Sequence, residues 1–230
     1  MLKIFLFILG FLLSLKAYSQ NEQKDTIKVL NVVTIKAPLL DAELIRSPYS
    51  IGIIDARALA NTAPFSLLPA VNSIPGVRME ERSPGSYRFS IRGSLLRSPF
   101  GVRNIKIYAD DFSLTDAGGN TYLNLLDPAA ANSIDIFKGP VSSIYGASTG
   151  GAVAFKLPQA NQDMLRISTT AGSFGGFIEQ TALDRSKGDL SIGIRQSYQQ
   201  SNGYREQSAL KKHYIQVTPA WEYAPGNSLK

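Results

Sequence analysis

Cysteine is absent from the 230 residues, and histidine occurs once, as His213. Without cysteine the chain has no disulfide scaffold, no thiolate metal ligand and no cysteine nucleophile. A single histidine leaves no recognisable transition-metal set, so we predict no metal site. We also assign no cofactor and no catalytic residue. Lys and Arg number 24 against 18 acidic residues. They are scattered, which argues against a nucleic-acid partner, because such a partner needs a clustered basic face.

Long apolar runs are also missing, except at the N-terminus. Lys3 precedes an apolar stretch of about twelve residues, and Ala17-Tyr18-Ser19 fits the small-x-small rule for signal-peptide cleavage. A transmembrane helix would need roughly 20 apolar residues. Residues 1–19 are therefore predicted to be a secretory signal peptide. Its removal takes away Lys3 and Lys16, which lowers the formal net charge from +6 to +4.

A β-prone patch at residues 27–37 follows the polar start of the mature chain, and Pro38 ends it. The patch has no obvious pairing partner nearby. It is either a strand of the following domain or a strand offered to another protein by β-augmentation, in which main-chain hydrogen bonds supply the affinity. The residue pattern leaves both interpretations open.

Short elements are predicted from residue 47 onward. Asp55 is placed to cap a helix that runs to Ala60, and residues 66–71 form a second helical turn. Pro75-Gly76 then forces a turn in the chain.

Two strands and two loops follow this turn. Residues 88–93 alternate in hydrophobicity as a strand, and residues 105–111 form a strand and turn in which Asp111 takes the left-handed position. Residues 80–87 are polar and contain a Pro-Gly pair, and residues 114–122 are rich in glycine. Both stretches are therefore predicted to be loops.

Residues 131–155 organise the chain. They contain a short strand at 134–136, a helical turn at 141–145 and a second strand at 152–155. Three glycines precede the second strand: Gly146, Gly150 and Gly151. Their density predicts a backbone that turns sharply or packs closely against another segment.

After Pro158 the pattern changes to segments of about ten residues with one apolar and one polar face, which is the signature of transmembrane β-barrel strands. Short connections at 185–188 and 225–228 differ from a longer one at 200–210. Trp221 and Tyr223 suit an aromatic girdle near a strand end. An ordinary soluble meander has the same alternation, so the pattern alone leaves that alternative open.

A different class of function is suggested by residues 146–150, which match the Gly-x-Ser-x-Gly nucleophile elbow of secreted hydrolases around Ser148. His213 lies downstream as a possible base. The elbow requires a strand before the serine and a long helix after it. The residues that follow Ser148 predict a strand instead, so the hydrolase is an unfavoured alternative.

Four ordered motifs resemble the plug domain of TonB-dependent outer-membrane receptors. They are Leu-x-x-x-Pro-Gly-Val-like residues 71–77, Ile-Arg-Gly at 91–93, the strand and turn at 105–111, and residues 131–155. The resemblance implies an α+β plug of short strands and helices inside a barrel of roughly 22 strands. It implies a receptor that takes up a scarce small ligand, such as an iron chelate, with energy delivered through TonB.

The resemblance also implies roles for individual residues. The segment Asn31, Val32, Val33, Thr34 and Ile35 is similar to a TonB box, the strand that pairs with TonB. Residues 80–87 and 115–122 are similar to the outward-facing plug loops, and their candidate ligand contacts are Arg82, Tyr87, Asn120 and Tyr122. Arg92 and Lys138 match basic residues that lock the plug to barrel carboxylates. The plain alternatives are solvated turns and solvated surface charges.

The predicted organisation has four parts. Residues 1–19 are the signal peptide, 20–44 an extension with the TonB box, 45–158 the plug, and 159–230 about four antiparallel strands of an incomplete transmembrane β-barrel. Four strands cannot close a barrel, and an open edge is not tolerated in lipid. We therefore expect the N-terminal part of a longer receptor in the outer-membrane lipid. A short, secreted, plug-like binding module remains the alternative.

Overall fold

The computed structural model describes residues 34–37, 40–43, 47–62, 66–94, 102–127, 130–148, 150–160, 162–224 and 227–229. Strands dominate these ranges. The strands are β1 (Thr34–Ala37), β2 (Leu40–Glu43), β3 (Ile51–Ile54), β4 (Val77–Ser83), β5 (Ser86–Ile91), β6 (Ile105–Ala109), β7 (Phe112–Ser113), β8 (Ser133–Lys138), β9 (Gly151–Lys156), β10 (Met164–Gly172), β11 (Gly176–Lys187), β12 (Leu190–Ser201), β13 (Leu210–Ala224) and β14 (Asn227–Leu229).

Helices are few and short. They are α1 (Ala56–Thr62), α2 (Leu68–Asn72), α3 (Ser142–Tyr145) and a 3-10 helix at Leu123–Leu125. Within the described ranges, none is long and apolar enough to cross a membrane. The predicted cap of α1 is confirmed, because Asp55 Oδ1 accepts a hydrogen bond of 2.7 Å from the Ala58 N–H.

The first large sheet has the strand order β3-β8-β9-β6-β7, with β6 and β9 parallel and the other pairs antiparallel. Side chains of successive residues point to opposite faces of a strand. On β8, Ile134 and Ile136 join one core with α2 and the β4–β5 hairpin. Phe137 joins a second core on the other face with Tyr145 of α3. Both faces of this sheet are therefore covered by apolar packing.

The predicted loop at residues 80–87 is wrong, because these residues belong to the β4–β5 hairpin. Glu80 pairs with Arg88 across the two strands. One face of the hairpin buries apolar side chains such as Met79 and Phe89, while the other carries charges. Gly85, with φ at 80°, supplies the positive φ of the turn. The polar residues of an exposed strand face were thus indistinguishable from a loop by composition.

The turn after β6 also differs from the prediction. The left-handed residue is Asp110, with φ at 47°, rather than Asp111. The Asp110 N–H donates to the Phe155 carbonyl at 2.8 Å, and its Oδ1 accepts from the Leu157 N–H at 2.9 Å. These two bonds to β9 and the residue after it stabilise a backbone conformation that aspartate tolerates better than most residues.

The second large sheet is an antiparallel meander in the order β10-β11-β12-β13-β14. The register places Leu165, Leu183, Ile194 and Val217 side by side on one face. That apolar face is open to the surroundings, and Ile215 on it is 69% exposed. The opposite face buries polar residues, including Asp184, Arg195, Ser197 and Gln199. The polar side of this sheet is therefore inside.

The buried face of the second sheet is held by a bidentate ion pair. Arg195 Nη1 and Nη2 donate to the two Asp184 carboxylate oxygens at 2.7 and 2.9 Å. Asp184 stands opposite Gly193 in the register, and a Cβ added at Gly193 would lie 3.1 Å from Asp184 Oδ1. Gly193 thus leaves room for the carboxylate between the strands.

Aromatic rings lie at both ends of the apolar face. Phe177, Tyr198 and His213 form one chain of ring contacts, in which the Tyr198 and His213 centroids are 4.6 Å apart. Trp221 and Tyr223 pair at the other end, with centroids 6.0 Å apart. Trp221 lies eight positions after His213 on β13, which is about 27 Å of strand. A band of this height, with aromatic residues on both sides, is typical of strands in an outer membrane.

Candidate functional site

A cavity of about 720 Å³ opens where the β4–β5 hairpin and the 3-10 helix meet the second sheet. The hairpin contributes Glu81 and Tyr87, and the residues around the 3-10 helix contribute Leu123 and Leu126. The second sheet contributes the turn between β10 and β11 and the connection between β12 and β13. From that side the lining includes Phe174, Gln199, Tyr204, Arg205 and Lys212.

Tyr87 forms a neutral polar group on the cavity wall. Burial, reinforced by the nearby Glu81 and Asp127 carboxylates, raises the pKa of its phenol well above the usual value. Glu81 Oε1 also accepts a hydrogen bond of 3.1 Å from the Gly85 N–H. Tyr87 therefore presents a neutral hydroxyl at the cavity wall, with Glu81 as its hydrogen-bond partner.

Two cations, Lys212 of β13 and Arg205 of the connection between β12 and β13, reach across the cavity. Lys212 Nζ donates to the Leu126 carbonyl at 2.7 Å and lies 3.6 Å from Asp127 Oδ2. Arg205 Nη2 donates to the Arg82 carbonyl at 3.4 Å, and its guanidinium lies 4.9 Å from the centre of the Tyr204 ring. These contacts connect β13 and the 202–209 connection to the β4–β5 hairpin and to the residues after the 3-10 helix.

The glycine-rich loop closes on itself through polar contacts. The Thr115 and Thr121 hydroxyls are 2.7 Å apart, and the Asn120 N–H donates to Asp116 Oδ1 at 2.9 Å. Asn120 Oδ1 also accepts from Arg103 Nε at 2.7 Å. The side chain of Asn120 is thus engaged within the plug.

The four candidate ligand residues occupy different places. Tyr87 lines the cavity, whereas the described lining does not include Arg82, Asn120 or Tyr122. Arg82 lies beside the cavity with an exposed side chain, and Tyr122 is 45% exposed. Sequence reasoning missed Lys212 and Arg205. The alternation that places residues 212, 214 and 216 on the inner face of β13 was the available signal for Lys212.

Arg92 and Lys138 come close together at the Pro75-Gly76 turn. The Arg92 N–H donates to the Gly76 carbonyl at 2.8 Å, and Lys138 Nζ donates to the Pro75 carbonyl at 3.3 Å. A Cβ added at Gly139 would lie 3.5 Å from Arg92 Nη1, so the two basic groups flank that glycine. Neither side chain forms an ion pair with a carboxylate in the described ranges.

The candidate TonB box is only partly visible. Asn31, Val32 and Val33 lie outside the described residues. Thr34 and Ile35 belong to β1 and pair with Glu43 and Ala42 of β2. The expectation that the β-prone patch is isolated is therefore corrected for its C-terminal end, because β2 offers a partner only a few residues further along the chain.

The nucleophile elbow is not formed. Ser148 follows the helical turn α3 rather than a strand, and β9 follows it where an elbow needs a helix. The candidate base is on the outer apolar face of the second sheet, where the His213 ring contacts Tyr198. The structure thus gives Ser148 no elbow geometry, and the hydrolase interpretation is withdrawn.

Comparison with known proteins identifies the first sheet and its surroundings. The family model described as TonB-dependent Receptor Plug Domain matches residues 43–153. The Metal-pseudopaline receptor CntO of Pseudomonas aeruginosa is 31% identical over 115 residues, which cover 47% of this chain and 16% of that receptor. The Hemin receptor of Yersinia pestis is 25% identical over 174 residues, covering 69% of this chain and 25% of that receptor.

A solved structure shows the same fold over a larger part of the chain. The pyoverdine outer membrane receptor FpvA from Pseudomonas aeruginosa PAO1 superposes with a TM-score of 0.70 at 13% identity. The match covers 84% of this chain and 28% of FpvA. The chain thus spans about a quarter or less of the two curated relatives and slightly more of FpvA. Residues 43–153 thus carry the plug domain of the TonB-dependent receptors, and the fold shared with FpvA extends beyond them into the strands that follow.

Proposed function

We propose that these residues are the plug and the first wall strands of an outer-membrane receptor that takes up a small ligand by TonB-coupled transport. The chain would then have four parts: the signal peptide (1–19), which directs export, the TonB-box extension (20–44), the plug (45–158) and the wall (159–230). The relatives' names mention metal-pseudopaline, hemin and pyoverdine, and the first two favour a metal-bearing small ligand.

The observation that carries the proposal is the position of the cavity. It lies between the plug and the wall, at the strand ends that carry the 202–209 connection. Long connections are extracellular in bacterial outer-membrane barrels, and short turns are periplasmic. A ligand arriving from outside would therefore meet Tyr87 of the plug, and Lys212 and Arg205 of the wall, before it reached the plug core.

The edges of the second large sheet, β10 to β14, which we call the wall sheet, also support the proposal. Among the described strands, β10 and β14 each have one neighbour, so each leaves a row of backbone groups unpaired. Lipid offers no hydrogen bonds to such groups. Further strands of the same receptor would pair with them and close the barrel.

Coupling to TonB is tested at the box. Val33→Pro removes a main-chain donor and fixes φ, so an added strand can no longer pair there. In cells that produce the receptor, we expect loss of uptake of a radiolabelled ferric chelate or haemin while surface binding stays intact. Gln23→Pro, ahead of the patch, is the control. Normal uptake with Val33→Pro would remove the box from the proposal.

We further propose that Arg92 and Lys138 hold the plug against wall carboxylates outside the described residues. If those carboxylates are partly dry, Arg92→Ala or Lys138→Ala strands a buried charge and costs about 3–5 kcal/mol. An exposed pair would cost only about 0–1 kcal/mol. The buried and the exposed case are distinguished by measuring plug unfolding and passive leak through the receptor in each variant, with Lys187→Ala as the surface control. Equal values for all three variants would refute the lock.

A further inference from the structure

At the cavity, the wall contributes positively charged donors and the plug contributes mainly uncharged acceptors. Among the described residues, two hydrogen bonds run from wall cations to the plug at the cavity. Both are accepted by neutral main-chain oxygens, those of Leu126 and Arg82. Lys212 has a carboxylate nearby in Asp127, but the 3.6 Å distance is longer than a charge-assisted hydrogen bond. The ammonium of Lys212 is therefore held firmly by a carbonyl and only loosely by a charge.

We propose that Lys212 is a shared cation, which holds plug residues 123–127 against the wall until an anionic group of the ligand takes it over. Ligand binding then releases this plug segment. The inference deepens the proposed function, since it names an anionic ligand group for the cavity and the residue that senses it. It rests on the proposed function for the identity of the cavity as the ligand site.

Exchange of partners at Lys212 is physically favourable for an anion. An anion adds Coulomb attraction for the Lys212 ammonium that the neutral Leu126 carbonyl cannot supply, and this attraction is stronger in a partly dry cavity than in water. The Lys212 side chain is 24% exposed and has a flexible four-carbon stem, so its ammonium can turn toward the cavity. Asp127 is only 3% exposed and sits in the plug, so its carboxylate stays behind when Lys212 turns.

The released segment is continuous with the plug core. The Ala130 N–H donates to the Asp127 carbonyl at 2.9 Å, and the Asn132 N–H donates to the Lys156 carbonyl at 2.7 Å. The next residue, Ser133, starts β8, which pairs with both β3 and β9. Movement of residues 123–127 would therefore act directly on the central strands of the plug.

The test uses the purified receptor that contains this chain, in detergent, with citrate as a tricarboxylate probe. We expect citrate to bind and to speed amide hydrogen exchange in the peptide that covers residues 121–127 at least threefold. Lys212→Gln keeps a donor for the Leu126 carbonyl and removes the charge, so citrate affinity should fall about tenfold. Lys212→Arg should retain most of the affinity.

Asp127→Asn gives the most specific result. It keeps the shape of the buried side chain while it removes the charge that competes with the anion for Lys212. Citrate affinity should therefore rise about two- to fivefold, as expected for loss of one modest ion pair. Lys187→Gln, at the opposite end of β11, is the control and should leave affinity and exchange unchanged.

Three outcomes overturn the inference: no citrate binding, no effect of Lys212→Gln on citrate affinity, or binding without faster exchange at 121–127. Uptake separates this inference from the proposed function. Normal TonB-dependent uptake with unchanged exchange contradicts only the shared cation. If citrate speeds amide hydrogen exchange at residues 121–127 but the receptor shows no TonB-dependent ligand uptake in cells, only the transport proposal is contradicted.

Discussion

The two large sheets are built from similar alternating segments but bury opposite kinds of side chain. In the plug sheet, β8 buries Ile134 and Ile136 on one face and Phe137 on the other. In the wall sheet, β12 buries Arg195 and its polar neighbours, while the isoleucines of β10 and β13 are exposed. Alternation along a strand therefore defines two faces without saying which of them is buried, or whether both are.

The difference between the sheets reflects their surroundings. A sheet in water gains free energy by hiding apolar area. A sheet in a bilayer gains it by presenting that area to lipid, which leaves the polar face for the interior of the barrel. Polar groups buried there must be paired, because an unpaired buried charge is costly. The Asp184–Arg195 pair satisfies this requirement in the wall.

The largest loss of stability is expected from a substitution that breaks the Asp184–Arg195 pair. Arg195→Met leaves the Asp184 carboxylate buried without its cation, so the receptor should lose about 3–5 kcal/mol of unfolding free energy. The double variant Asp184→Leu/Arg195→Met removes both charges and should recover most of the loss. Denaturant unfolding in detergent micelles measures both. A single variant as stable as the double would show that the pair faces water rather than a closed interior.

The next effect compares the same residue type in the two sheets. Ile136→Ala creates a cavity in the plug core and should cost about 2–5 kcal/mol. Ile167→Ala removes an outward-facing side chain that is 65% exposed, so it should cost about 0.5 kcal/mol or less. Thermal unfolding of the two variants provides the comparison. Equal losses would mean that the outer face of the wall is packed against protein.

A smaller effect concerns the start of α1. Asp55→Ala removes the hydrogen bond to the Ala58 N–H, which should cost about 1 kcal/mol. Asp55→Asn keeps an acceptor and should cost little. Amide exchange in the peptide that covers α1 reports the loss locally. If the alanine variant exchanges as slowly as the wild type, the cap does not stabilise this helix.

Local features of the fold could be predicted from the sequence. Asp55 as a cap and the Pro75-Gly76 turn each depend on a few adjacent residues, and the structure confirms both. The β4–β5 hairpin was missed because its pairing is a tertiary property and its exposed face is polar like a loop. The left-handed Asp110 was missed because two adjacent aspartates suit the same turn equally well.

The candidate site could be predicted only in part. Tyr87 was named because residues 80–87 resemble an outward-facing plug loop, and the structure places it on the cavity wall, although on strand β5 rather than in a loop. Lys212 and Arg205 contact residues that are 86 and 123 positions away along the chain. No local pattern contains such a pairing, since it depends on how the wall curves around the plug. The sequence could predict that Lys212 lies on the inner face of β13, but it could not predict which plug residue Lys212 contacts.

The central claim is that the apolar face of the wall sheet meets lipid while the polar face meets the plug. The chain has no cysteine, so a single introduced cysteine in it can carry a nitroxide label. Val217 and Gln216 are neighbours on β13 and face opposite sides, with Val217 54% exposed. Labels at these two positions, in the receptor reconstituted into bilayers, can be compared by their collision rates with oxygen and with a water-soluble nickel complex. The account predicts frequent oxygen collisions and few nickel collisions at Val217, and few collisions of either kind at Gln216. Frequent nickel collisions at Val217 would contradict it, because that face would then be in water.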